Sequence, residues 1–212
     1  MANRAAKFKS SLFCLMFALH GAVAQDIPGS PYSERPLNLP KLGPTGECPV
    51  SSGALGIVPP VDRYMFGGGG HFFGTGPVYL GLSWKPADRA EGRFELNARI
   101  PVTSEGYRLK TPWIMHPDYL GEALIRGAEI GSQETLKVLF NENSQNPRTT
   151  ESMILRSLPE STRQLRAEAF FLDETWGFWP SSMILPEAGC YAIQIDTEAG
   201  SDIVVFEAIA AG

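Results

Sequence analysis

The stretch PEAGCYAIQIDTEAGSDIVVFEA, from Pro186 to Ala208, constrains the fold more than any other part of the chain. Between Cys190 and Asp196, Tyr191, Ile193 and Ile195 fall on one face and Cys190, Ala192 and Gln194 on the other, the period of two that a β-strand imposes. A turn over Thr197 to Ser201 follows. From Asp202 to Glu207, Ile203 and Val205 then alternate with Val204 and Phe206. Both faces of this second arm are apolar, so the hairpin belongs inside a two-layer sandwich.

The hairpin carries the last of three cysteines, and the start of the chain decides how many count. Arg4, Lys7 and Lys9 precede an apolar run from Leu12 to Leu19, and Ala22-Val23-Ala24 supplies the small residues of a signal-peptidase site before Gln25. Residues 1–24 are therefore expected to be a cleaved signal peptide. The apolar run is shorter than half of the roughly 20 residues a membrane span requires. Bulky Phe13 before Cys14 argues against a lipid anchor there. With the leader goes Cys14, leaving Cys48 and Cys190, an even pair that in an exported chain forms a disulfide.

Losing three basic leader residues leaves 15 Lys and Arg against 23 Asp and Glu, a net charge of −8. An acidic surface of this kind argues against nucleic acid or anionic lipid as the main partner, since phosphate binding needs a basic face. No later segment is long and apolar enough to serve as a transmembrane anchor.

Residues 25–47, QDIPGSPYSERPLNLPKLGPTGE, contain five prolines and read as a linker or an extended arm. Either it holds the domain away from the leader or it lies along an edge strand. Residues 48–212 then form one sandwich domain. Its first part is rich in turn formers, including Gly67 to Gly70. Strands follow. Val78, Leu80, Leu82 and Trp84 share a face, and Phe94, Leu96, Ala98 and Ile100 alternate with polar neighbours. Tyr107, Leu109, Thr111 and Trp113 make another face, with Pro112 implying an edge or a bulge. His116 to Gly121 is a turn, Ala123 to Ile130 and Leu136 to Asn141 are strands, and Met153 to Leu155 is a helical turn or a strand. Leu165 to Phe171 is a further strand before the aromatic cluster Trp176, Phe178 and Trp179.

Seven to nine short strands separated by Gly and Pro turns give an all-β, antiparallel β-sandwich of immunoglobulin-like type. The cysteine, tryptophan and cysteine spacing of antibody domains is absent. A Cys48–Cys190 bridge instead pins the start of the domain to its penultimate strand. The runs TPWIMHPDYLGEALIRGAEI (Thr111 to Ile130) and GCYAIQIDTEAGSDIVVFEA (Gly189 to Ala208) resemble two stretches of uncharacterised exported bacterial β-sandwich proteins. There a Trp strand precedes a Tyr-x-Gly turn and an Arg-Gly pair, and a late Gly-Cys-Tyr opens the final hairpin. The resemblance covers about a quarter of the chain and implies a bacterial envelope or secreted sandwich, with no activity to carry over.

Reactive clusters are hard to assemble from the remaining residues. His71 and His116 stand in no metal-binding spacing, and a copper or zinc site would need both plus carboxylates such as Asp118 or Glu122. Gly67 to Gly70 lacks the Gly-Lys-Ser/Thr ending of a phosphate loop. Asp173 and Glu174 adjoin Trp176 and Trp179, the ingredients of a sugar site, but adjacent strand residues face opposite ways and form a poor catalytic pair. If exposed, Trp176, Trp179 and Asp173 would make a carbohydrate-binding surface; if buried, the tryptophans are core. Arg126, within an apolar strand, either snorkels outward or pairs with a carboxylate from a neighbouring loop.

These readings favour a non-enzymatic binding or structural module of the bacterial envelope or extracellular space, periplasmic or secreted, needing no cofactor. Its partner would be an extracytoplasmic protein or a glycan. The alternatives are a carbohydrate-binding protein, or a hydrolase or metal site built from loops.

Overall fold

The computed structural model describes residues 30–53, 71–82, 92–132, 134–140, 148–164 and 176–212. The expected signal peptide, Gly67 to Gly70, Trp84, the expected strand Leu165 to Phe171, and Asp173 and Glu174 lie outside them.

Within the described residues the chain forms fourteen strands. They are β1 (His71–Phe73), β2 (Val78–Leu82), β3 (Arg93–Leu96), β4 (Val102–Thr103), β5 (Gly106–Lys110), β6 (Trp113–Met115) and β7 (Glu122–Glu129). The rest are β8 (Lys137–Phe140), β9 (Arg148–Thr150), β10 (Ser152–Arg156), β11 (Gly177–Trp179), β12 (Ser181–Leu185), β13 (Gly189–Thr197) and β14 (Gly200–Ala210). Three sheets result, which we call A (β1-β2-β6-β11), B (β10-β7-β13-β14-β3) and C (β4-β5-β12-β8-β9). The molecule is an all-β sandwich.

Two of the strands beyond the expected seven to nine come from bends, and short pieces such as β1, β4 and β9 add others. Sheets A and C share two chains: β5 continues into β6 and β12 continues backwards into β11, with Pro112 and Pro180 at the breaks. The ladder runs through the bend, from Lys110 opposite Ser182 to Trp113 opposite Trp179. Each proline lacks an N–H, so the pairing must be mended locally. Ser181 does this. Its N–H-side neighbour Thr111 donates to the Ser181 carbonyl at 2.8 Å, while the Ser181 hydroxyl donates to the Thr111 carbonyl at 2.6 Å and accepts from Trp113 Nε1 at 3.0 Å. Pro112 is thus neither an edge nor a bulge but the point where a strand changes sheet, a known way of turning a sandwich corner. Its carbonyl takes the Gly81 N–H at 2.7 Å, and a Cβ on Gly81 would come within 2.7 Å of the Pro112 ring.

Sheet B lies across the core from this bent pair. Tyr191, Ile193 and Ile195 of β13 and Val204 and Phe206 of β14 face inward among Leu109, Trp113, Ile125, Leu155 and Met183. Phe206 stacks between Tyr191 and Phe94, with ring centroids 5.6 and 5.5 Å apart. The hairpin register runs without a slip from Gly189 opposite Ala208 to Thr197 opposite Gly200. One strand departs from the antiparallel expectation: β3 pairs with β14 in parallel, so sheet B is mixed. Alternation in β3 also stops earlier than the sequence suggests. The Asn97 side chain accepts the Arg99 N–H at 3.0 Å and turns the chain after Leu96, although Ile100 still reaches the core.

Met153 to Leu155 proves to be strand, in β10, while residues 160–164 are helical. No helix among the described residues is long and apolar enough to cross a membrane.

Candidate functional site

The Pro-rich arm, expected over residues 25–47, is the most distinctive feature of the surface. Its described part, from Ser30, lies neither apart from the domain nor along an edge strand, and it runs on without a break through Cys48 to Gly53, so residues 30–53 make up one arm. They cross the outer face of sheet B, over its interior strands β13 and β14. Prolines leave the arm few N–H donors and free carbonyls that no ladder can satisfy, so side chains of β13 meet them instead. The Gln194 side chain accepts the Asn38 N–H at 2.7 Å and donates to the Pro36 carbonyl at 3.0 Å, as a neighbouring strand would. Arg35 donates to the carbonyls of Thr197 and Gly200, at 2.6 and 3.0 Å, and its guanidinium carbon lies 4.5 Å from the centre of the Tyr32 ring.

Beneath these contacts sits Asp196, fully buried. Its carboxylate accepts from Arg126 Nη2 at 2.6 Å, from Gln194 Nε2 at 2.9 Å and from the Ser201 hydroxyl, with Arg35 Nη1 4.0 Å away. Two guanidinium groups and two neutral donors offset the cost of burying one anion. Backbone register brings them together: Arg126 on β7 stands opposite Gln194, and Asp196 is the next residue on that face of β13. Arg126 therefore takes the paired alternative, but its partner comes from the adjacent strand instead of a loop.

At the other end of β13 the bridge Cys48–Cys190 is formed, with Cα atoms 5.5 Å apart. Cys48, Leu39 and Val50 of the arm pack with Ile130, Cys190, Ala192, Ile203 and Val205 in a second, smaller core. Ser51 completes the seam, donating its N–H to the Val205 carbonyl and accepting the Val205 N–H on its hydroxyl, both at 2.9 Å. The arm is thus fastened at both ends of one strand, covalently at Cys190 and, at the other end, by hydrogen bonds from Arg35 and to and from Gln194, above the buried Asp196.

The two histidines occupy different levels of sheet A. His71 in β1 registers with Leu82, whereas the His116 N–H bonds the carbonyl of Pro77, five residues away along β2. Their backbones are therefore separated by about 17 Å along the strand direction, on opposite sides of β2. His116 Nδ1 accepts the Asp118 N–H at 3.2 Å. Glu122 is engaged elsewhere, accepting from Ser30 Oγ and Arg156 Nε at 3.1 Å each. Among the described residues no group of three or more His, Cys, Asp or Glu side chains is placed to hold a metal ion.

The tryptophans separate as well. Trp179 is buried, its ring folded over Gly177, where a Cβ would come within 2.5 Å of it. Trp176 is half-buried and sits edge-on to His116, centroids 5.0 Å apart, with Tyr79 at 6.2 Å. The third member of the expected sugar surface, Asp173, is outside the described residues.

Sequence reasoning passed over Gln194 and Asp196 as a pair. The available signal was two hydrogen-bonding side chains two residues apart in an otherwise apolar strand, which must find partners if that face is covered. Neither a family model, nor a curated protein, nor a solved structure matches this chain.

Proposed function

We propose that the chain is an exported, non-enzymatic β-sandwich that binds or scaffolds a partner in the periplasm or extracellular space of a bacterium. The observation that carries this reading is the double fastening of the arm. The disulfide at one end, and the Arg35 and Gln194 hydrogen bonds beside the buried Asp196 at the other, both hold residues 30–53 onto sheet B. A bridge of this kind suits an oxidising compartment, and a covered, pinned sheet face suits a rigid module that presents a surface. Purified exported product tests the reading on three counts. Its N-terminus should lie near Gln25, Cys48 and Cys190 should resist alkylation until unfolded and reduced, and a broad hydrolase screen should show no turnover. Turnover lost on His116→Ala would replace this reading with an enzymatic one.

A second reading has one observation in its favour, the partly exposed Trp176 edge-on to His116, whose ring in turn lies by Asp118. A saccharide stacking there would shift tryptophan fluorescence during glycan titration, and Trp176→Ala would abolish the shift.

A further inference from the structure

At the Cys190 end of sheet B, the arm and the strand ends border an open groove of about 400 Å³. Its lining is mixed: Leu42 of the arm, Ile130 after β7, the disulfide and Ile209 near the end of β14 supply the apolar part, and Glu129 and Glu207 the charged part. Leu42 and Ile209 are two of the few large apolar side chains left exposed, at 39% and 41%. Strand pairing is also incomplete here. The β13 ladder ends at Gly189 opposite Ala208, but β14 continues to Ala210. Ile209 and Ala210 therefore have a strand neighbour only on the β3 side, among the described residues.

Charge around the groove is mainly acidic. Glu129 and Glu207 line it, and Glu134 and Glu187 are close enough, with Glu129, to act on the nearby Tyr191 hydroxyl. Glu207 is offset by Arg93 at 2.7 Å, whereas among the described residues Glu129 accepts from the neutral Ser132 hydroxyl, at 2.6 Å, and has no ion pair. Two exposed aliphatic side chains, a strand end with no second neighbour among the described residues and the carboxylates of Glu129, Glu134 and Glu187 together match one kind of partner: extended, basic and carrying aliphatic side chains at alternate positions.

We infer that the groove docks an extended basic peptide segment, with an aliphatic side chain seated between Leu42 and Ile209 and flanking Lys or Arg side chains facing Glu129. The segment would run beside Ile209 and Ala210 and use their open edge. This rests on the binding-module reading above and narrows it to a partner class.

The probe is fluorescein-labelled Lys-Val-Lys-Val-Lys, titrated by anisotropy with the oxidised protein at low and high salt. Saturable, salt-sensitive binding is expected, weakened about tenfold or more by Ile209→Lys and by Glu129→Lys. Glu-Val-Glu-Val-Glu should not bind. Unchanged thermal midpoints would show that both variants remain folded. No binding at millimolar protein, or equal binding by wild type and Ile209→Lys, overturns the proposal. So does self-association that Ile209→Lys disperses, because the occupant would then be a second copy. Turnover in the activity screen would sink the non-enzymatic reading whatever the peptide does, whereas a failed titration alone removes only the groove.

Discussion

The two faces of β13 are held by different physics. Its inner face, Tyr191, Ile193 and Ile195, is fixed mainly by apolar volume, packed against the bent pair of sheets A and C, with the Tyr191 hydroxyl donating to the Glu187 carbonyl at 2.7 Å. Its outer face has a thin apolar layer, Ala192 with Cys190, and depends on a disulfide at one end and a buried ion cluster at the other. Packing of the first kind is cooperative and tolerates little loss of volume. Fasteners of the second kind are discrete, so each can be removed singly while the sandwich persists. The difference teaches that the arm is a separately releasable part of the domain.

The largest effect is expected on the inner face. Phe206→Ala should cost about 3–5 kcal/mol in denaturant unfolding, with arm and core lost together. Replacing both Cys48 and Cys190 by Ser should cost about 2–4 kcal/mol, below the roughly 5 kcal/mol that the chain-entropy model gives for so long a loop. This variant should also sharpen the comparison, because residues 30–53 should become protease-sensitive before the core strands do.

Asp196→Asn should cost about 1–3 kcal/mol, since it leaves Arg126 and Arg35 without their common anion. The same protease assay should show the arm loosening from its Arg35 end. Alkaline pH separates the faces less strongly. Burial pushes the hydroxyls of Tyr119 and Tyr191 up to about 12, so the fold retains phenolic protons that the unfolded chain loses near pH 10. Their stabilising contribution is complete below about pH 10 and is lost as pH rises toward 12. The thermal midpoint should fall through that window, and Tyr191→Phe should flatten the fall.

The inner face was legible in the sequence because alternation reports it directly. Tyr191, Ile193, Ile195, Val204 and Phe206 all point where their period of two puts them. The disulfide was legible because Cys48 and Cys190 are the pair left once the expected leader, with Cys14, is set aside. Strand β12 was not, because Pro180-Ser181-Ser182 reads as a loop; only the register shows Ser181 repairing a sheet bend. Position along the sheet was hidden too. The arm's prolines declared it extended but not that Gln194 would receive it, since that depends on Arg126 arriving opposite Gln194 from a strand about seventy residues earlier.

Hydrogen exchange at the Asn38 amide tests the central claim most directly, because that N–H is given to Gln194 across the arm's crossing of sheet B. In the oxidised protein it should be protected, and Gln194→Ala should remove the protection while the β13–β14 ladder amides keep theirs. An Asn38 amide exchanging at the rate of an open chain in the wild-type protein would contradict the account, for the arm would then be a linker and not part of the sandwich.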